Sequence, residues 1–174
     1  GLFAKRMGLP VKRFIAANNE NDIVYKYLQN GKYEPRASVS TIANAMDVGD
    51  PSNFARILDL YDHSHSAIAI DMTGYRYSDA EVRKVMKDVH YKYGYTLDPH
   101  GAIGYKALDE NLREGEVGVF LETAHPAKFT ETVETTLGKK IILPEKLAEF
   151  MKGEKLSIPM SKKFEDFKSY LLTK

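Results

Sequence analysis

Two sets of apolar residues recur at i, i+3, i+4 and i+7: Phe54, Ile57, Leu58 and Tyr61, then Val82, Val85, Met86 and Val89. That period predicts two helices, each with one buried face. Ser52 or Asn53 opens the first. The second opens on Ser78-Asp79-Ala80-Glu81, a capping-box pattern, and stops near Tyr93-Gly94. Another helix carries Ile23, Val24, Tyr27 and Leu28 on one face, from a cap at Asn21 or Asp22 to Asn30-Gly31. Residues 11–17 ahead of it are β-rich and mostly apolar, as in a buried strand, and residues 117–121 (Val-Gly-Val-Phe-Leu) repeat that pattern. Ala67-Ile68-Ala69-Ile70 is a shorter extended candidate. Asp98-Pro99-His100-Gly101-Ala102 is a polar turn feeding a helix through Ile103, Ala107 and Leu108 that ends by Gly115. Pro126 suits the first turn of a helix that buries Phe129 and Val133 and stops at Gly138. Beyond Pro144 and Ser161, two short amphipathic helices are expected to bury Leu147, Phe150, Phe164, Phe167, Leu171 and Leu172.

Helices alternating with strands indicate an α/β protein, a three-layer open sheet with flanking helices. Its 174 residues fit a single domain, 1–174. Residues 1–10 read as a helix under way with no N-cap, which suggests a chain that begins inside an element. Lysine and arginine number 25 against 24 aspartates and glutamates, interspersed, so no electrostatic footprint for nucleic acid or an anionic membrane is present. Cysteine is absent, which excludes disulfides and thiolate metal sites, and no apolar run is long enough to span a bilayer. A soluble, cytoplasmic protein is the expectation.

In an open α/β sheet, ligands sit beyond the carboxyl ends of strands. Thr123-Ala124-His125-Pro126 lies there, directly after the apolar run at 117–121 and directly before a helix start. Asp98-Pro99-His100-Gly101 is a second polar turn before a helix, and two such turns could line one crevice. The long loop from Lys32 to about Pro51, rich in Ser, Asn and Asp, has the length of a functional loop. Asp62-His63-Ser64-His65 reads as an ordinary helix-to-strand turn rather than a metal site, since no third ligand pairs with it. Lys106 and Lys128 read as surface charges, and the asparagines at 18, 19, 44 and 53 as groups that satisfy their own backbone.

Five segments, in order, carry a resemblance. They are residues 1–22, ending Ala-Ala-Asn-Asn-Glu-Asn-Asp; Asn44-Ala45-Met46-Asp47-Val48-Gly49 with Pro51-Ser52-Asn53-Phe54; Asp98-Pro99-His100-Gly101-Ala102; Thr123-Ala124-His125-Pro126-Ala127-Lys128-Phe129; and Leu143-Pro144. Together they resemble the carboxyl-terminal part of threonine synthases of the longer bacterial and fungal type. The resemblance implies a fold-type II enzyme that uses pyridoxal 5'-phosphate to convert O-phospho-L-homoserine and water into L-threonine and phosphate. It also implies that the Schiff-base lysine and the glycine-rich phosphate loop lie upstream of Gly1, so that this chain holds no catalytic residue, depends on the amino-terminal part of its own protein, and is inactive alone. On the same footing, Thr123 contacts the pyridine nitrogen, Asp98, Pro99 and His100 stand beside the cofactor ring, and Asn18, Asn19, Asp47 and Asn53 lie on the substrate side or hold loops, with His125 structural. Two other readings are a different fold-type II lyase, such as a threonine dehydratase-like enzyme, and a non-catalytic α/β binding domain.

Overall fold

A computed structural model describes residues 1–173. The chain enters through α1 (Leu2–Arg6), which has no side-chain cap and is tethered instead by Lys5 Nζ on Asp71 Oδ1 at 2.8 Å and by Arg6 on the Leu60 carbonyl at 2.7 Å. β1 (Phe14–Asn18) follows, then α2 (Ile23–Asn30), which ends at Gly31 with φ 74°. Glycine adopts that left-handed stop without Cβ strain. The loop after it holds one 3₁₀ turn, Asn44–Met46, before α3 (Phe54–Leu60).

Residues 67–70, expected as a strand, lie inside α4 (His65–Asp71), started by the Ser64 hydroxyl accepting the Ala67 N–H. The strand comes immediately afterwards, as β2 (Met72–Arg76), which pairs parallel to β1 with Phe14 opposite Met72 and Asn18 opposite Arg76. A four-residue apolar run suits either element, and here the Ser64 cap favours the helix. β2 carries Gly74 because α2 crosses directly above it: a Cβ there would meet Leu28 Cδ1 at 2.9 Å and Tyr25 Cα at 3.1 Å.

α5 (Asp79–Tyr93) begins with the full capping box, the Ser78 hydroxyl accepting the Glu81 N–H and the Glu81 carboxylate accepting the Ser78 N–H. Such a cap contributes about 1 kcal/mol. α6 (Pro99–Asn111) and α7 (Thr130–Leu137) follow, α7 preceded by a 3₁₀ turn at Pro126–Phe129 and stopped by Gly138. Alternate β1 residues serve opposite cores, which makes the sheet the middle of three layers. Ile15 and Ala17 pack with Val82, Met86, Ala102, Ile103, Ala107 and Val133, while Phe14 and Ala16 pack with Tyr27, Leu28, Phe54, Tyr61 and Ile68.

Two compact units are distinguished, Gly1–Ile141 and a shorter one that starts at Ile142. The latter contains α8 (Glu145–Phe150) and α9 (Phe164–Leu172). Its apolar residues are not buried as the pattern predicts: Phe150, Phe164, Phe167, Leu171 and Leu172 are exposed and Leu147 is half-buried. So short a stretch cannot enclose a core of its own. Among the described residues, no helix is long and apolar enough to cross a membrane.

Candidate cofactor wall

The carboxyl end of β1 runs into Asn18 and Asn19. Asn18 turns its amide back onto the carbonyls of Ala16 at 2.9 Å and Tyr75 at 3.0 Å, bridging the ends of the two strands. Asn19 is buried and donates to Thr41 Oγ1 and Asp47 Oδ1, both at 3.0 Å, while its own oxygen accepts the Asn21 N–H at 2.8 Å. Asp47 also accepts from the Thr41 N–H, the Thr41 hydroxyl and the Asn21 amide. One carboxylate thus folds the loop after α2 against the end of β1. Asn53 stands apart, exposed at the N-cap position before α3, where its side chain makes no cap bond. A neighbouring group that the sequence pattern did not reveal is Asp22. Expected as a helix cap, it makes no cap bond and instead receives Arg36 at 2.5 Å, with Lys26 and Arg76 at 3.6 and 3.8 Å. The folded loop brings Arg36 to it, and the end of β2 brings Arg76.

The second cluster sits at the start of α6. Asp98 is the N-cap and fully buried; its Oδ1 accepts the His100 N–H at 2.8 Å and stands 2.7 Å from the His100 ring nitrogen Nδ1. Pro99 is buried beside it, and the half-buried His100 ring packs on Phe129 at 4.8 Å. Burial opposes ionisation of Asp98, but the His100 N–H and ring, together with the neighbouring Glu122 carboxyl, outweigh it and hold the carboxyl below its ordinary range.

Residues 117–121, expected as a strand, run without ladder partners among the described residues, yet they keep a strand's alternation. Gly118, Phe120, Glu122 and Ala124 turn towards the protein, and Val117, Val119, Leu121 and Thr123 are exposed. The run is fastened at both ends. At its start, Glu116 receives Arg13 at 2.7 Å, Lys12 at 3.1 Å and the Arg113 N–H at 3.1 Å. At its end, Glu122 accepts the Asp98 N–H at 3.0 Å. This second fastening places Thr123 next to the amino terminus of α6, exposed on the open side and with no hydrogen bond from its hydroxyl among the described residues. His125 follows as the cap of the 3₁₀ turn, its Nδ1 accepting the Ala127 N–H at 3.1 Å.

The Arg13 and Lys12 cations pull the Glu116 carboxyl down to about 2. A carboxyl depressed on folding adds stability that is complete above its ordinary value and disappears as pH falls towards the folded one. In the full-length protein, stability is therefore expected to decline between about pH 4.5 and 2, and Glu116→Gln to be less stable than wild type at pH 7 with a shallower acid decline. Urea melts across that range check this; parallel declines in the two proteins would refute it.

The structure thus brings Asp98, Pro99, His100 and Thr123 together, and separately Asn18, Asn19 and Asp47. Glu122, the residue that joins the first group, carries no motif that marks it in the sequence. A signal existed: it shares its strand face with Phe120, so an acid there has to be buried. Among the described residues, no group of three or more His, Asp or Glu side chains is arranged to hold a metal ion. His65 of the Asp62–His65 turn is taken up by the Leu28 carbonyl, 3.2 Å from Nε2.

A three-layer α/β fold with polar turns at its strand ends fits a family of cofactor enzymes, and the family model described as "Pyridoxal-phosphate dependent enzyme" matches residues 2–123. The chain belongs to this family. A further model, "Threonine synthase, C-terminal", matches residues 101–171. Among its relatives are the threonine synthases of Haemophilus influenzae, 42% identical over 99% of this chain and 40% of the relative, and of Escherichia coli, 46% identical over 86% and 34%. The crystal structure of the Escherichia coli threonine synthase superposes with a TM-score of 0.88 at 40% identity, covering 99% of this chain and 40% of that one. The pyridoxal-phosphate-bound threonine synthase of Brucella melitensis superposes with a TM-score of 0.87 at 30% identity, covering 98% and 43%. The chain therefore spans about 40% of the length of the relatives it matches.

Proposed function

We propose that this chain, residues 1–174 as one domain, is the carboxyl-terminal part of a cytoplasmic threonine synthase, and that its Gly1–Ile141 unit carries one wall of the active site. The whole enzyme converts O-phospho-L-homoserine and water into L-threonine and phosphate. The observation that carries this reading is Thr123, a free hydroxyl on the open side of an extended segment fastened at both ends. A neutral hydroxyl there fits a pyridine nitrogen. The nearby acids do not compete for that place, because the Asp98 carboxyl is buried in the start of α6 and Glu122 faces α6 as well.

Bound pyridoxal phosphate supplies an electron sink for charge developing on the substrate's carbon atoms. Thr123 orients the ring through its nitrogen without fixing a positive charge on it, since a hydroxyl, unlike a carboxylate, gains little from holding a proton there. Pro99 and His100 shape the border of the ring's pocket, and Asp98 orients His100. Asn19 and Asp47 hold the loop after α2 on the substrate side, Asn18 ties the two strand ends there, and Asn53 stands exposed at the start of α3 on that side. The lysine that anchors the cofactor and the loop that cradles its phosphate belong to the amino-terminal part of the protein, so the chain alone has no turnover. No nucleic acid or membrane takes part.

The test is the full-length protein. It is expected to show the visible absorbance band of bound pyridoxal phosphate and to release inorganic phosphate from O-phosphohomoserine with L-threonine as co-product. A protein that leaves O-phosphohomoserine intact and deaminates L-threonine instead is a dehydratase, and that result overturns the reading.

A further inference from the structure

The carboxyl groups of Asp98 and Glu122 are both turned into the start of α6, where Glu122 lies over Gly101 and accepts the Asp98 N–H at 3.0 Å. Three of the four oxygens have a clear role or a clear lack of one. Asp98 Oδ1 accepts from His100, Glu122 Oε1 accepts the Asp98 N–H, and Asp98 Oδ2 is buried with no hydrogen-bond partner. Glu122 Oε2 completes the set, buried and equally without a partner. Two neighbouring buried acceptors with no donor are costly, and a single proton shared by them would satisfy both. The site is shaped for this: a Cβ on Gly101 would collide with the Glu122 carboxyl, so the absence of a side chain at 101 is what admits the acid to the start of α6.

We infer that Asp98 and Glu122 share one proton, carried on Glu122 Oε2 and donated to Asp98 Oδ2, and that this acid pair makes Glu122 a positioning residue for Thr123. The positioning role rests on the reading of Thr123 as a cofactor contact; the shared proton does not.

Two consequences separate this from a passive buried contact. The titratable groups that act on Glu122 are Asp98 and His100 of α6, while the 3₁₀ turn packed against His100 presents Phe129. Burial, followed by the proximity of Asp98, pushes Glu122 up to about 7. The native protein then holds a proton between about pH 4.5 and 7 that the unfolded chain has lost, so stability falls as pH rises through that window. Glutamine is the fixed mimic of the protonated acid, since its oxygen accepts the Asp98 N–H and its amide donates to Asp98 Oδ2.

The experiment compares the full-length wild type with Glu122→Gln and Glu122→Ala. In thermal melts from pH 4.5 to 8, the wild-type midpoint is expected to fall across the window, and Glu122→Gln to lack that fall and to melt above wild type at pH 8. A wild-type fall retained in Glu122→Gln overturns the shared proton. In pyridoxal phosphate titrations followed by absorbance, Glu122→Ala is expected to bind on the order of tenfold more weakly, as loss of a buried hydrogen bond implies, and Glu122→Gln to restore binding to within about twofold. Unchanged binding in Glu122→Ala overturns the positioning role. The melts are independent of activity, so a flattened Glu122→Gln profile in a protein that releases no phosphate would overturn the proposed function and support the acid pair.

Discussion

Replacing Thr123 with valine in the full-length protein is expected to lower the rate of phosphate release on the order of 10²-fold, the effect of removing one preorganised polar group from a reacting centre. The fold should not notice. Thr123 is exposed and its hydroxyl makes no internal hydrogen bond, so the melting midpoint should stay at the wild-type value, as for surface changes away from caps and cores. Valine preserves the β-branched shape and removes only the hydroxyl. Steady-state kinetics with O-phosphohomoserine, paired with a thermal melt, decide the matter. Full turnover in a well-folded Thr123→Val protein would remove Thr123 from the cofactor wall. A normal rate with serine at this position would strengthen the argument, because serine returns the hydroxyl without the methyl.

The largest loss of stability is expected at Phe54. Its ring is 2% exposed, stacks on Tyr33 with 4.6 Å between centroids and meets Tyr27 edge-on at 4.7 Å. Phe54→Ala should remove about 3–5 kcal/mol, combining the lost transfer energy with the cavity left behind. That is a large share of the 5–15 kcal/mol that holds an ordinary domain together. Tyr33 lies in the loop after α2 and is tied to Asp50 through its hydroxyl at 2.8 Å, so the substitution should also loosen that loop. Urea unfolding measures the first effect, and proteolysis within residues 32–51 the second. A loss below about 1 kcal/mol would mean that the neighbouring rings collapse into the space.

Local chemistry made much of this fold readable in advance. Ser78 and Glu81 announce α5 because a capping box is complete within four residues, and Gly31, Gly94 and Gly138 announce helix ends because each takes a positive φ. Elements decided by tertiary contact were not readable in this way. β2 carries a threonine and a glycine amid its apolar residues and looks unlike a strand; Gly74 is there because α2 passes overhead, which only the assembled fold reveals. The stretch at 117–121 has a strand's composition and alternation but no ladder partner among the described residues, and composition cannot supply one. At the site, Thr123, Asp98 and His100 were visible as polar residues before helix starts. Glu122 was not, since a glutamate next to a threonine is unremarkable in a string of letters. Its burial depends on strand parity and on a helix start that it touches in the fold but that lies more than twenty residues away in sequence. Asp22 failed in the opposite sense: its place before a helix predicted a cap, but Arg36 offered the carboxylate a stronger partner.

Gly101 and Glu122 occupy one volume between them, and this constrains how the protein can change. A side chain added at 101 would push the carboxyl end of the Glu122 side chain away from the start of α6. The effects of changing the two positions are therefore not independent and should not simply add.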